Sequence, residues 1–247
     1  MDDHDGMQIP PPTQRLTRRS SLLKLGGFVA TVVGAGAWGA SALGDEDADA
    51  AGPGPAAVGS GLVSCVLAPE QTQGPYYLEG DKLRRDIRAG KPGVLLTLRT
   101  TVVDASTCKA IKGAAVDIWH CDAGGSYSGF SQEGTAGLSF LRGIQKTDRN
   151  GLAVFKTVYP GWYQGRTVHI HVRVYLGGSV IHTGQLFFSD ALTDTVYKRS
   201  PYSRRPNRTT RNATDSIFRN GGSKSILRMS KSGSGYIGAI TMGVSRS

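Results

Sequence analysis

Val168-His169-Ile170-His171-Val172-Arg173-Val174-Tyr175 decides the fold. Side chains alternate across a β-strand, so Val168, Ile170, Val172 and Val174 are predicted to face a core. His169, His171, Arg173 and Tyr175 then line the opposite face. Working outward, β-branched segments recur at Val94–Val103, Ala114–His120, Leu152–Val158, Val180–Phe188 and Tyr236–Val244. Between them, Asp148-Arg149-Asn150-Gly151 and Gly177-Gly178 are strong turn signals. Convincing helical periods are few and there is no internal repeat, so the expected fold is all-β, an antiparallel β-sandwich core with long loops.

The chain has 247 residues, 39% of them apolar, enough for one large domain. Residues 1–42 read as a twin-arginine export signal: Arg18-Arg19, an apolar run from Leu25 to Trp38, and Ala40-Ser41-Ala42 as a small-residue cleavage site. That run is shorter than the roughly 20 residues a spanning helix needs, so no stable membrane anchor is expected after cleavage. Residues 43–61, rich in Ala, Gly, Asp and Pro, read as a flexible linker, and 62–247 as the β-sandwich domain. Leu62-Val63-Ser64-Cys65 resembles a lipidation box, but it stands apart from the apolar run it should abut.

The formal charge of +10 calls for an anionic partner to be considered. Much of the excess lies between Lys198 and Arg228, and Tyr202 is the only aromatic between Lys198 and Phe218. A nucleic-acid groove interleaves its cations with exposed aromatics, so this stretch reads as a solvated basic face and no nucleic-acid partner is expected.

His169 and His171, two apart on one strand face, can direct imidazoles at a single ion such as iron, copper, zinc or nickel. Alone, the pair fits two hydrogen-bonded histidines equally well. The approach to it, Tyr159-Pro160-Gly161-Trp162-Tyr163-Gln164-Gly165-Arg166, turns at Pro-Gly and brings Tyr163 and Arg166 to the strand's mouth. Tyr127 holds a comparable position after Asp122-Ala123-Gly124-Gly125. Either tyrosine could equally be a rim aromatic with a satisfied hydroxyl.

Gln73-Gly74-Pro75-Tyr76-Tyr77, Val116-Asp117-Ile118-Trp119-His120, Gly125-Ser126-Tyr127-Ser128, and Tyr163, Arg166, His169 and His171 at their spacing resemble, in that order, the intradiol ring-cleavage dioxygenases. The resemblance is nearest to their exported branch and runs from about Cys65 to Val244. It implies one Fe(III) per chain, held by Tyr127, Tyr163, His169 and His171, with no organic cofactor. The implied substrates are a catechol and O2, and the product a cis,cis-muconate-type diacid. Tyr163 would be the phenolate that substrate displaces and that takes its proton. Arg166 and Gln185 would assist catalysis, while Pro75, Tyr76, Tyr77 and Trp162 would line the substrate mouth. Asp117 and Trp119 would support the site.

Gln73 stands where Glu is more familiar, Thr167-Val168 replaces Pro-Ala, and the run from Tyr163 to Arg166 is short. The long helical N-terminal segment of many catechol dioxygenases is missing from the pattern, so their dimer is not implied. Gln185 poses a register problem: a simple two-residue turn at Gly177-Gly178 pairs it with Ile170 on the core face, so a bulge or longer turn is required. Competing readings are an exported binding module without metal and a copper or zinc enzyme built on the His-x-His pair.

The three cysteines allow one intramolecular disulfide. If 94–104 and 114–121 are adjacent strands, Cys121 lies roughly 23 Å up the return strand from Cys108. A disulfide needs Cα atoms within about 7 Å, so Cys65–Cys108 is the expected pair.

Overall fold

A computed structural model describes residues 67–80 and 82–246. The export signal, the linker and Cys65 lie outside them. Within them are eight strands: β1 Leu95–Asp104, β2 Ala115–Trp119, β3 Arg142–Lys146, β4 Leu152–Val158, β5 His169–Leu176, β6 Ser179–Phe187, β7 Arg228–Ser232 and β8 Gly235–Val244. They form two four-stranded sheets, ordered β4-β1-β8-β7 and β3-β2-β5-β6.

One buried cluster draws on both sheets: Leu96, Leu98 and Val102 of β1, Phe155 of β4 and Met242 of β8 from the first, with Val116, Ile118, Ile170, Val172, Val174 and Leu186 from the second. The apolar face read from the β5 alternation is therefore the core face. The sandwich is antiparallel apart from one pair, since β1 runs parallel to β8 over Leu96–Asp104. β3 and β7 were not anticipated. Gly143 interrupts the pattern of β3, and Arg228-Met229-Ser230-Lys231-Ser232 is a mostly exposed polar edge strand without apolar alternation.

β1 and β2 are not hairpin neighbours but belong to opposite sheets, which corrects the premise of the cysteine argument. Cys108 follows β1 in a turn with φ of 59° and is disulfide-bonded, while Cys121 is free and buried.

The β5–β6 hairpin closes through Gly177-Gly178, with φ of 60° and 88°, the left-handed pair that a tight type I′ connection requires. Further along, Tyr175 pairs with Val180 but Val174 with His182, leaving Ile181 as an extra residue in β6. That bulge carries Gln185 opposite His171 rather than Ile170. The register problem is thereby resolved.

Beyond β6, helix α1 (Asp190–Tyr197) is capped by Ser189 and a short α2 (Ser216–Arg219) by Asp215. The basic stretch here is not all solvated. Arg208 is 8% exposed, bonded to Asp190 and Asp194, and Arg211 also pairs with Asp194. No described helix is long and apolar enough to cross a membrane.

Candidate metal centre

Directly opposed residues on neighbouring strands share a face. Arg142 on β3 opposes Trp119 on β2, Trp119 opposes His171 on β5, and His171 opposes Gln185 on β6. This row crosses the whole sheet on the side away from the core, yet none of its members is more than 1% exposed. The segment around Thr72–Tyr77 covers it. Gln185 Nε2 donates to the Thr72 carbonyl (3.0 Å) and Arg142 Nη1 to the Tyr76 carbonyl (2.9 Å). At Gly74, with φ of +70°, a Cβ would stand 3.1 Å from His171 Cε1.

The four expected ligands meet around His171, an inner member of this row. His169 Nε2 lies 3.1 Å from His171 Nε2 and 3.1 Å from the Tyr163 hydroxyl. The Tyr127 ring stands 5.7 Å from that of Tyr163 and 6.0 Å from His171, centroid to centroid. The Tyr127 hydroxyl is sealed from solvent; it is close enough to Tyr163 to feel that phenol, but makes no well-formed hydrogen bond. A buried polar atom without a partner costs about 1–3 kcal/mol, and an ion at this convergence would take up that oxygen.

His169 Nδ1 donates to the Thr167 carbonyl (2.7 Å), which leaves the Nε2 lone pair facing the cluster. Trp119 lies flat on His171, centroids 5.0 Å apart and planes 2° from parallel, and so fixes that ring's orientation.

Protonation matches ligation for the imidazoles. Burial, followed by the Arg166 charge, pushes His169 down to about 3. Burial and the His169 and Arg166 neighbours hold His171 well below its ordinary value. Both are therefore neutral donors at pH 7. Burial pushes Tyr163 up to about 12, against the pull of Arg166, and burial plus the Tyr163 phenol hold Tyr127 well above 10. Only an adjacent cation would make phenolates of them. Among the described residues no three His, Cys, Asp or Glu side chains form a metal cluster. Two imidazoles with two phenols suit a hard, highly charged ion better than copper(I) or a thiolate-preferring one.

Arg166 sits at the turn beside Tyr163 and is fixed on two sides. Nε donates to Asp215 Oδ2 (2.8 Å) and Nη2 to Gln185 Oε1. Asp215, 1% exposed, also accepts from the Thr167, Ile217 and Phe218 amides. The sequence reading missed Asp215, whose visible signal was only that of a helix cap.

Around the metal set, Tyr76 stacks on Tyr127 (4.1 Å, 4°), and Pro75 beside it is exposed. Tyr77 turns aside, packing on Trp119 and bonding the Tyr175 hydroxyl at 2.6 Å. Trp162 is not in this aromatic cluster: it is 9% exposed, belongs to the main core and is covered by Arg205 at 4.5 Å. This placement departs from the expected mouth-lining role. His120 stays out of the site, with both ring nitrogens bonded, to Cys121 O and Thr157 Oγ1.

A dioxygenase family model matches residues 72–193, which contain the whole proposed ligand set. An intradiol ring-cleavage dioxygenase from Tetranychus urticae is 37% identical, covering 73% of this chain and 95% of its own with a TM-score of 0.70. The chain belongs to the intradiol ring-cleavage dioxygenases. A dioxygenase domain from Streptomyces sp. SirexAA-E, part of a carbohydrate-binding fusion, is 28% identical over 73% of this chain and 99% of its own, with a TM-score of 0.57. Catechol 1,2-dioxygenase 1 of Acinetobacter lwoffii is 31% identical over 100 residues, 38% of this chain and 32% of that enzyme. The chain thus matches about a third of that intradiol enzyme's length.

Proposed function

We propose that this chain is an exported ferric dioxygenase that splits catechol-type rings between the two hydroxylated carbons with O2, releasing cis,cis-muconate-type diacids. One observation carries the reading: two neutral imidazoles, the buried Tyr127 phenol and the half-buried Tyr163 phenol converge beside an arginine locked in place. Export rests on the Arg18-Arg19 segment and its apolar run.

Tyr127, Tyr163, His169 and His171 would hold the ion, and iron(III) would supply the charge that ionises both phenols and the substrate hydroxyls and the covalency that opens the ring to O2. Tyr127 stays in place because Tyr76 stacks on it and the interior seals it. Tyr163 is partly exposed and leads directly into a turn, so its ring can swing out and its oxygen can accept a substrate proton. Arg166 cannot swing, because Asp215 and Gln185 hold it. Its fixed charge, felt by Tyr163 and His169, would stabilise negative charge growing on a ring bound beside them, and a preorganised charge of this kind needs no reorganisation during reaction.

Oxygen uptake with catechol, hydroxyquinol and protocatechuate tests the activity. The expected result is one O2 consumed per ring and a colourless acid absorbing in the ultraviolet, with two new carboxyl groups at the cleaved bond. A yellow semialdehyde, from cleavage beside the hydroxyls, would contradict it.

A further inference from the structure

Arg142 stands at the opposite end of the row from Gln185 and has no part in the chemistry above. It is 1% exposed, and its guanidinium is spent on two carbonyls and one hydroxyl. Nε and Nη2 donate to the Ser128 carbonyl (3.1 and 2.7 Å), Nε also to Ser128 Oγ (2.9 Å), and Nη1 to the Tyr76 carbonyl (2.9 Å). Its own carbonyl is gripped by Arg84 Nε and Nη2 at 3.0 and 2.8 Å. Both acceptor residues bear on one ligand. Ser128 directly follows Tyr127, and the Tyr76 ring lies on the Tyr127 ring, 4.1 Å away and 4° from parallel.

We propose that Arg142 is the positioning residue for the Tyr127 phenolate, joining the loop that carries this ligand to the segment that carries its stacking partner. The planar fork is what the task needs, because it reaches two carbonyls in fixed directions; a lysine ammonium keeps the charge without that geometry. Thr135 Oγ1 donates to the Tyr127 carbonyl (2.6 Å) from the same loop, so two successive carbonyls, those of Tyr127 and Ser128, are tied. Tyr127 is thereby fixed by groups that never touch the ion. The inference rests on the ferric reading of the site.

The test compares the visible tyrosinate-to-iron absorption of the substrate-free, iron-loaded protein in wild type, Arg142→Lys, Tyr76→Leu and Tyr76→Phe, beside iron content and thermal unfolding. Wild type and Tyr76→Phe, which keeps the stack, are expected to share one band. Arg142→Lys and Tyr76→Leu should retain iron with a shifted, weaker band. In Arg142→Lys, kcat should fall about 10²-fold with KM little changed, the scale of effect when a reacting group is misplaced by about 1 Å. Added guanidinium should restore part of the band to Arg142→Ala.

An Arg142→Lys protein that is less heat-stable but has an unmoved band would make Arg142 a fold support only and overturn the proposal. If Arg142→Lys does not fold, Tyr76→Leu decides, and an unmoved band there overturns it. A wild type that takes up no iron would instead overturn the ferric reading, and this inference with it.

Discussion

Tyr127 and Tyr163 face each other at 71° with ring centroids 5.7 Å apart, but Tyr127 is 1% exposed and Tyr163 is open on one side. The same residue type is thus placed in two environments, one that forbids movement and one that permits it. Tyr163→Phe is expected to keep most of its iron while turnover falls about 10²-fold, the lower end of what losing a positioned acid–base group costs. Tyr127→Phe should lose iron outright. Iron per chain after gel filtration, beside steady-state rates, separates the two outcomes.

The Arg166 guanidinium is held by Asp215 and Gln185 rather than by any of the four expected ligands. Arg166→Met should therefore retain iron and colour and lose about 10²–10³ in kcat, as when one stabilising donor is removed from an active site. Asp215→Asn should lose less, since an amide oxygen can still accept from Arg166. The Asp215 carboxyl is pulled below its ordinary value: burial acts upward, but the Phe218 and Thr167 amides and Arg166 outweigh it. Its stabilisation is complete above the unfolded value of 3.8 and is lost only as pH falls below that, through the folded value. Activity lost near pH 5 that Asp215→Asn abolishes would contradict this assignment.

Gly74 meets His171 where a Cβ would stand 3.1 Å from the ring, at a φ of +70°. Gly74→Ala should cost about 1–2 kcal/mol of stability from the left-handed backbone alone. It should also press on the imidazole. The checks are a urea midpoint and iron retention, both expected to fall.

His120 bridges the strand end after β2 to Thr157 of β4, tying the sheets together near the Tyr127 loop. Burial holds it at about 4, against an ordinary 6.5. The unfolded chain therefore binds the proton first. Stability from this residue is complete above pH 6.5 and declines as pH falls toward 4, by about 3 kcal/mol at most. His120→Gln should flatten that arm of the melting-temperature profile, measured on iron-free protein so that metal loss does not contribute.

What the sequence disclosed follows the range of each signal. The alternation in Val168–Tyr175 is local, and it assigned the core face and the two histidines to their sides of β5. Register is not local. That Gln185 sits opposite His171 depends on the single extra residue Ile181, which no pattern in β6 marks. Arg142 escaped notice because Gly143 breaks its strand's alternation, and its acceptors lie 14 and 66 residues away. Asp215, 49 residues from Arg166, could be read only as a helix cap, and Trp162 was placed at the mouth although its ring belongs to the core.

The most direct test of the central claim is metal analysis with a visible spectrum on the purified chain after loading with ferric iron. The account predicts one iron per chain and a broad tyrosinate charge-transfer band that disappears, with the metal, in Tyr127→Phe and His171→Ala. Colourless protein without bound iron, or copper or zinc held just as well when Tyr127 and Tyr163 are both phenylalanine, would contradict it.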